Sequence, residues 1–299
     1  MKLKLTRRQF AQLALASTTV AAMGVVFGKT LAQESDADTL ILGINVGVKN
    51  NNASTGMDSD IIELGEPTQN TDPSTLQPIV VQSFNVSTKE IKNVLTTAPI
   101  LETCERLSGF ASINGKLIAA ASYTCTRKKK DRKVRLIDLN TLESVNISGL
   151  KRREDVYQLV RLKDSSLAAL VGKDKGKGSS KLATIDLNTG QITDRSKIPQ
   201  QMQVIAVAES PDGSLYGIDT DSVGEISFSE IGEKRSTKLK TQGKILNNGC
   251  DGLVYTSSNE LFALVSFRYE SPKHVDKINQ ETGEIEPIKG FDVAKITLA

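Results

Sequence analysis

The sequence lacks tryptophan and has few other aromatic residues, with eight Phe and five Tyr among 299 residues. Aromatic rings supply the large flat contact surfaces that a sugar-binding site uses, so this composition speaks against such a site. His274 is the single histidine, and one imidazole cannot build a His-based metal centre. The G-x-S-x-G, H-E-x-x-H, P-loop, C-x-x-C and EF-hand patterns are all absent. We therefore predict no cofactor and no metal site, and no catalytic signature marks the chain as an enzyme.

The chain does contain a short sequence motif that recurs at a spacing of roughly 50 residues, which is the size of a propeller blade. Each copy is an apolar strand end followed by residues that favour a tight turn. The copies are Phe84–Thr88, Ile137–Thr141, Ile185–Gly190 and Ile278–Gly283, with a degenerate copy at Ile226–Phe228. Repeats of this length, each with several short strands, are typical of β-propellers. The sequence predicts an all-β fold, a β-propeller of five four-stranded blades, over residues 39–299.

The two ends of the predicted propeller are expected to meet in blade 1. Thr39–Val48, Pro78–Val86 and Glu90–Leu95 match the second, third and fourth strands of that blade, which leaves its first strand missing. Phe291–Leu298 is a strand left over after blade 5. If it takes the empty position, the ring closes without an exposed sheet edge, which would otherwise invite aggregation. A ring of about six or seven shorter blades is the alternative.

Residues 1–32 differ from the rest of the chain and predict a cleavable signal peptide, followed by a linker at 33–38. A basic beginning precedes an alanine-rich apolar stretch, and Arg7, Arg8 and Phe10 match a twin-arginine signal. We therefore expect export to the periplasm or an equivalent compartment, with no stable transmembrane span after cleavage. An ordinary secretory signal and an uncleaved anchor are the alternatives, although the stretch is short for a membrane span.

The predicted signal segment also accounts for the positive charge of the whole chain. It holds five of the 38 basic residues and none of the 35 acidic ones, so the remaining chain carries a formal charge of −2. The basicity is therefore no argument for nucleic-acid binding, and we predict no nucleic-acid partner.

Cys104 and Cys125 are predicted to form a disulfide. A two-residue turn at Asn114-Gly115 pairs residues whose numbers sum to 229, and the two cysteines meet that condition. Counting outward from the turn, they fall on a non-hydrogen-bonded site, where Cα atoms lie roughly 4.5 Å apart and a disulfide can form. An oxidising compartment permits the bond. Two free thiols, or a bulge that breaks the register, are the alternatives, and Cys250 is expected to be a small buried hydrophobe.

The turns and loops divide between the two faces of the predicted ring. In an antiparallel meander, the turns after the first and third strands of each blade share one face, and the loops after the second and fourth strands share the other. The first set is short, and we call its side the short-turn face. The second set is long and charged and includes a polar insertion at 49–77; we call its side the long-loop face. Since function on a scaffold usually lies in longer loops, we expect any site there.

Three loops of the long-loop face are basic and belong to neighbouring parts of blades 2 and 3. We predict that they bind an unknown protein or an anionic component of the cell envelope, in an exported, non-catalytic binding or scaffold module. The predicted binding residues are Arg127, Lys128, Lys129, Lys130, Arg132, Lys151, Arg152, Arg153, Lys173, Lys175 and Lys177. Solvated loops without a partner are one alternative, and cover by the acidic insertion at 49–77 is another.

Acidic residues near the starts of the inner strands indicate an alternative function. The candidates are Glu105, Asp155, Asp251 and Asp292, with Glu105 and Asp155 expected at equivalent positions of their blades. Carboxylates that converge on a channel mouth can act as a general acid and base or bind a cation. The alternative is therefore a propeller hydrolase that acts on glycans, although strand starts often carry acids for solubility alone.

Two stretches resemble known repeats. Ser210–Tyr216, which reads Ser-Pro-Asp-Gly-Ser-Leu-Tyr, and Ile185–Gly190, which reads Ile-Asp-Leu-Asn-Thr-Gly, are similar to bacterial propeller repeats of the TolB, YVTN and quinoprotein-like kind. The resemblance implies that the first forms a turn between the first and second strands of a blade, and the second a turn between the third and fourth. It touches most of residues 39–299 and implies a fold rather than an activity. The tryptophan-docking signature of the quinoprotein kind is absent, which speaks against bound pyrroloquinoline quinone.

Overall fold

The computed structural model describes residues 39–47, 76–125, 133–173, 180–198, 203–221, 224–233, 235–245, 249–266 and 272–299. They form five four-stranded antiparallel sheets arranged in a ring, together with one two-stranded hairpin. The predicted five-bladed β-propeller is confirmed. The predicted signal peptide and linker lie outside the described residues, as does the insertion at 49–77 except for its last two residues.

Each blade is a meander that runs from an inner to an outer strand. From the inside outward, blade 1 contains β22 (Lys295–Leu298), β1 (Leu40–Val46), β2 (Ile79–Asn85) and β3 (Ile91–Thr96). Blade 2 contains β4 (Glu105–Ile113), β5 (Lys116–Tyr123), β6 (Val134–Asp138) and β7 (Ser144–Asn146). Blade 3 contains β8 (Glu154–Arg161), β9 (Leu167–Lys173), β10 (Lys181–Ile185) and β11 (Ile192–Lys197). Blade 4 contains β12 (Gln203–Glu209), β13 (Leu215–Thr220), β14 (Ile226–Glu230) and β15 (Thr237–Lys238), and blade 5 contains β18 (Gly249–Tyr255), β19 (Leu261–Ser266), β20 (His274–Ile278) and β21 (Ile285–Gly290).

A small hairpin of β16 (Lys240–Thr241) and β17 (Lys244–Ile245), which the sequence did not predict, lies in the connection between blades 4 and 5. Lys240 forms a parallel bridge with Glu284, and its N–H donates to the carbonyl of Gly283 at 2.9 Å. The connection is thereby attached to the turn that precedes the outer strand of blade 5.

Closure of the ring follows the prediction. β22 pairs antiparallel with β1, with Ile41 opposite Leu298 and Ile44 opposite Lys295. The strand begins at Lys295 rather than at Phe291. Phe291 instead lies in the core, where its ring packs against Phe84 with centroids 5.6 Å apart. The segment before β22 therefore anchors the closing strand by burial, and β22 itself anchors it by pairing.

The recurring sequence motif forms the turn between the third and fourth strands of a blade. In blade 3, Oδ1 of Asp186 accepts hydrogen bonds from the N–H groups of Asn188 and Thr189 at 3.0 and 2.8 Å. The bond from the Thr189 N–H is the main reason why the pKa of Asp186 lies below its usual value. In blade 5, Oδ1 of Asn279 accepts the two equivalent N–H groups. These are Asx turns, in which a side-chain oxygen replaces a backbone partner, so Asp or Asn recurs at this position.

The residue that closes this turn takes the left-handed conformation, with φ of 62° at Leu142, 67° at Gly190 and 71° at Gly283. Gly190 and Gly283 also touch the blade before them. A Cβ would lie 2.4 Å from the carbonyl oxygen of Asn146 at Gly190, and 2.3 Å from that of Lys238 at Gly283. Glycine suits both positions, because it adopts the left-handed conformation without strain and has no side chain that would clash with the neighbouring blade.

A β-bulge interrupts the pairing of the first two strands at the same level in blades 2 to 5. The extra residue is Ser108 in β4, Tyr157 in β8, Ile205 in β12 and Asp251 in β18. A bulge bends a strand and increases its twist, which helps the inner strands to converge on the ring axis.

The predicted disulfide between Cys104 and Cys125 is present, with Cα atoms 5.2 Å apart. The register from which it was predicted holds only next to the turn, because the bulge shifts the pairing by one residue, so that Glu105 lies opposite Tyr123. The carbonyl of Cys104 accepts the N–H of Thr124 at 2.7 Å. Both cysteines lie just beyond the ends of β4 and β5, where the sulfur atoms meet despite the shift.

The core consists of five clusters of buried apolar side chains that lie between adjacent blades. Inner strands are therefore covered on both faces, and in β4 five consecutive residues, from Leu107 to Ala111, are buried. This double burial explains why alternation of apolar and polar residues is blurred in the sequence. Each blade therefore shares an apolar cluster with both of its neighbours.

Candidate functional site

Glu105, the first of the four predicted acidic candidates, lies on the long-loop face and is fully engaged. Its carboxylate accepts two hydrogen bonds from the guanidinium of Arg135 in β6, at 2.7 and 2.6 Å. The Arg135 side chain also donates to the carbonyl of Ile100 at 2.8 Å, and the N–H of Glu102 donates to Glu105 at 2.9 Å. The carboxylate thus fastens the turn that leads into β4.

The structural counterpart of Glu105 in blade 3 is Glu154, which the sequence analysis missed. The Glu154 carboxylate accepts the N–H of Lys151 at 2.7 Å and pairs with the ammonium of Lys181 at 2.7 Å. The predicted equivalence of Glu105 and Asp155 is therefore wrong by one residue, because the two strands align when counted from their bulges. In both blades the acid accepts a hydrogen bond from the N–H of the residue three positions before it, which is Glu102 in blade 2 and Lys151 in blade 3. This local contact is the feature that repeats.

Asp155, the second candidate, joins blades 2 and 3. Its side chain is 2% exposed and lies 2.8 Å from the guanidinium of Arg106 in β4. The hydroxyl of Ser122 donates to its other oxygen at 2.6 Å, and the N–H of Val156 donates at 2.9 Å. This buried carboxylate therefore has an ionic partner and two hydrogen-bond donors.

Asp251, the third candidate and the bulge residue of blade 5, lies between two lysines. The ammonium of Lys273 is 3.0 Å from one carboxylate oxygen and that of Lys295 is 3.2 Å from the other. Burial acts to raise the pKa of Asp251, but the two ammonium groups more than offset it and leave the pKa below its usual value. Burial lowers the pKa of Lys295, with Asp251 acting against the shift. Since Lys295 begins β22, this pair ties blade 5 to the closing strand.

Asp292, the fourth candidate, is exposed, and its side-chain oxygen lies 3.5 Å from the N–H of Lys273. Its own carbonyl oxygen accepts a hydrogen bond from the amide of Asn45 at 3.1 Å. The four predicted acids therefore do not present a pair of unengaged carboxylates. Three are paired with cations that join a loop or a neighbouring blade, and the fourth is a surface residue.

Four of the eleven predicted binding residues are described, and we call them the basic corner of blade 3: Lys151, Arg152, Arg153 and Lys173. The other seven lie outside the described residues. All four are exposed, and within the described ranges no ion pair joins any of them to an acid. They lie where β8 begins and β9 ends, because Lys173 faces Glu154 in the strand register. The structure thus brings these four together on the long-loop face.

Gln158 in β8 crosses the ring axis and links three blades. Its Oε1 accepts the N–H of Val207 in β12 at 2.9 Å. Its Nε2 donates to the carbonyls of Val207 at 3.0 Å and of Leu253 in β18 at 3.3 Å. These backbone groups lie on inner strand edges that have no β-partner on the channel side. The side chain is buried and occupies the channel at this level.

A cavity of about 350 Å³ lies between Gln158 and the short-turn face. Its walls come from the innermost strand of every blade, namely β4, β8, β12, β18 and β22. It therefore opens on the face opposite to the one where a site was expected from loop length. A glutamine within the apolar strand Val156–Arg161 is the one sequence signal that could have pointed to it.

Two buried acids lie outside both faces. Asp276 in β20 is opposite Ala263 and Pro287, and neither of its carboxylate oxygens has a hydrogen-bond partner among the described residues. Burial raises the pKa of Asp276 to about 7. Burial likewise raises the pKa of Asp219 in β13 to about 6, and one oxygen of this carboxylate has no partner in the described ranges. Neither was a predicted site residue.

Cys250 matches its expectation as a small buried side chain. It is 5% exposed, and its thiol lies 3.2 Å from the carbonyl oxygen of Gly252. Burial raises the pKa of the thiol to about 12, so the reactive thiolate is scarce near neutral pH.

Among the described residues, no helix is long and apolar enough to cross a membrane. In the same part of the chain, no group of three or more His, Cys, Asp and Glu side chains is placed to hold a metal ion. The absence of a metal site and of a membrane span stays a prediction.

No protein-family model matches the chain, and no curated protein matches it. Among solved structures, it is similar to a protein of unknown function from Bacteroides caccae, with 11% identity, a TM-score of 0.45 and coverage of 84% of this chain and 73% of that one. It is also similar to a chain of a nidogen/laminin complex, with 13% identity, a TM-score of 0.45 and coverage of 75% and 97%. The major allergen Mala s 1 of Malassezia sympodialis has 14% identity, a TM-score of 0.40 and coverage of 72% and 74%. At these scores the similarities carry no argument about a ligand or an activity.

Proposed function

We propose that this protein is an exported, non-catalytic binding module of the cell envelope that captures an anionic partner on its long-loop face. One observation supports the proposal above the others. On this face the candidate acids Glu105, Asp155 and Asp251 are paired with cations, whereas the basic corner of blade 3 is exposed and has no acidic partner in the described ranges.

The charge balance at blade 3 favours an external anion. Glu154 is the acid nearest in sequence to Arg152 and Arg153, and its carboxylate is already shared between the Lys151 N–H and the Lys181 ammonium. Exposed like charges attract a partner of opposite charge over a range of roughly 8 Å at physiological salt. The seven predicted basic residues outside the described ranges would add to this attraction, which makes the partner a polyanion or an acidic protein surface.

The alternative, a glycan hydrolase, would need a carboxyl group free to approach a substrate. Glu105 fastens a loop, Asp155 joins two blades, and Asp251 is held ionised by two lysines. Three of the four candidates thus have a task in the scaffold. The fourth, Asp292, is an exposed surface residue and has no second unengaged candidate acid with which to form a catalytic pair.

A charge-reversal experiment tests the proposal. Arg152→Glu combined with Arg153→Glu should abolish capture of the partner from an envelope extract, and wild-type capture should be lost at high salt. The control is Lys92→Glu with Lys289→Glu, which makes the same charge change at exposed positions of blades 1 and 5. Equal capture by both double variants, or capture that salt does not weaken, would refute the proposal. Turnover of a glycan that disappears in Asp155→Asn while capture survives would favour the hydrolase instead.

A further inference from the structure

We propose that the cavity on the short-turn face is a binding site for a small organic monoanion with an apolar body. It lies on the opposite side of the ring from the basic corner, so this inference does not depend on the proposed function. The volume of about 350 Å³ falls within the range of small-molecule pockets. At about 30 Å³ per water molecule it has room for about a dozen water-sized groups, which sets the size of the ligand.

The cavity is open at one end. Its deepest lining includes Gln158, whose amide is hydrogen-bonded to the backbones of β12 and β18. Its rim is formed by the turns that follow the inner strands, at Lys163, Pro211 and Ser257. A ligand therefore enters from the short-turn face, and its inner end meets Gln158.

The walls combine apolar side chains with polar strand edges. Leu162 and Leu298 line the cavity from blades 3 and 1 and are partly exposed, and burial of an apolar ligand against them is favourable. The inner strands are sheet edges, so some of their N–H and C=O groups point away from the sheet. The N–H of Ser112 shows how such a group is satisfied, because it donates to the hydroxyl oxygen of Thr297 across the gap between β4 and β22 at 3.3 Å.

An arginine at the rim gives the cavity a site for an anion. Arg161, Lys163 and Glu209 line the cavity, and Asp212, in the same turn as Pro211, attracts the Lys163 ammonium, so Arg161 is the rim cation that remains for a ligand. Glu209 accepts a hydrogen bond from the N–H of Lys163, which directs that carboxylate towards the blade 3 turn. Arg161 is exposed, and none of the described acids forms an ion pair with it. Its guanidinium can bind a carboxylate through two parallel hydrogen bonds.

The absence of tryptophan makes a clean binding assay available. Ser257→Trp places a single tryptophan on the cavity rim, and Lys92→Trp places one on the outer strand of blade 1 as a control. Excitation at the red edge of the tryptophan band keeps the emission of the five tyrosines out of the signal. The probe is octanoate, and octan-1-ol is the neutral analogue of similar size. We expect octanoate to change the emission of the rim reporter saturably, and the control reporter to stay unchanged. The alcohol should bind at least about tenfold more weakly, since it lacks the charge that Arg161 pairs with.

Two variants in the rim-reporter background locate the binding. Ser112→Phe should fill the cavity and abolish the response, and Arg161→Gln should weaken octanoate about tenfold or more without affecting octan-1-ol. Arg161 is exposed, so the second variant tests the site even where the first one does not fold. No saturable change up to about 20 mM octanoate, unchanged affinity in Arg161→Gln, or a full response in folded Ser112→Phe would overturn the proposal.

Discussion

Replacing Gly190 with alanine would place a methyl group 2.4 Å from the carbonyl oxygen of Asn146, in the outer strand of blade 2. Gly115 is a matched control, because its φ of 73° is close to the 67° of Gly190 and a Cβ there would meet nothing within 4 Å. Leu142 is a natural control, since it takes the Gly190 position in blade 2 with a φ of 62°. The pair of substitutions separates the strain of the turn from the contact between blades.

The magnitudes follow from the geometry. An alanine in the left-handed region costs roughly 1 kcal/mol in either turn. At Gly190 the overlap with a backbone atom adds the cost of overpacking, about 1–3 kcal/mol. We therefore expect Gly115→Ala to lose about 1 kcal/mol and Gly190→Ala about 2–4 kcal/mol. In a domain of this size that corresponds to decreases in Tm of about 3 °C and about 9 °C.

Differential scanning calorimetry of the purified variants at one scan rate measures the difference. Gly283→Ala should behave like Gly190→Ala, because a Cβ there lies 2.3 Å from the carbonyl oxygen of Lys238. The two losses should add in the double variant, since the contacts lie between different pairs of blades. If Gly190→Ala melts no lower than Gly115→Ala, the close approach of the blades does not explain the glycine.

Three further predictions concern the disulfide, a buried acid and the closing strand. Replacing Cys104 and Cys125 together with serine should lower the free energy of unfolding by about 3 kcal/mol for their separation of 21 residues, and in urea titrations a reductant should destabilise the wild type but leave the variant unchanged. Because burial raises the pKa of Asp276 from 3.8 to about 7, the folded state keeps a proton that the unfolded chain releases. The free energy of unfolding, relative to that of Asp276→Asn, should therefore fall by up to about 4 kcal/mol between pH 4 and pH 7 and then level off. A difference that does not change with pH would contradict the raised pKa of Asp276. Ile296→Ala in β22, at 1% exposure, should cost about 2–5 kcal/mol, whereas Leu76→Ala, at 43% exposure, should hardly move the urea midpoint; equal effects would argue against the role of β22.

The blades and their closure could be predicted because short local signals carry them. Asn114-Gly115 marks a hairpin, and its φ angles of 51° and 73° are those of the expected two-residue turn. Asp186 and Asn279 mark the outer turns through hydrogen bonds to their own backbone neighbours. Such turns need no partner that is distant in sequence, so their local sequence pattern is sufficient to predict them.

The inner rim could not be predicted to the same detail, because the bulges have no common residue type. Ile205 and Asp251 take the same place in successive blades, and one is apolar whereas the other is charged. Without these reference points, Glu105 was matched with Asp155 instead of Glu154. The contacts of the candidate acids were hidden because their cationic partners lie far away in sequence, as Arg135 does from Glu105.

The cavity escaped prediction because it depends on contacts between distant parts of the chain. Loop length pointed to the long-loop face, but Gln158 blocks the channel above the short turns through bonds to blades 4 and 5. No residue spacing within the sequence of blade 3 indicates that the side chain of Gln158 reaches Val207 and Leu253.

The union of β1 with β22 has a consequence for how the molecule acquires its shape. Most strand pairings in the ring join strands that are neighbours in sequence, whereas the pairing of Ile41 with Leu298 joins residues from opposite ends of the propeller sequence. The entropy lost on closing a loop grows with its length, and folding slows when such remote pairings must form. Until the chain as far as Leu298 has been made, β1 is paired with β2 alone, and its other edge is open to pairing with a strand of another chain. We therefore infer that the final joining is the slowest and most aggregation-sensitive moment in the biogenesis of this protein, and the point at which a chaperone would be of greatest use.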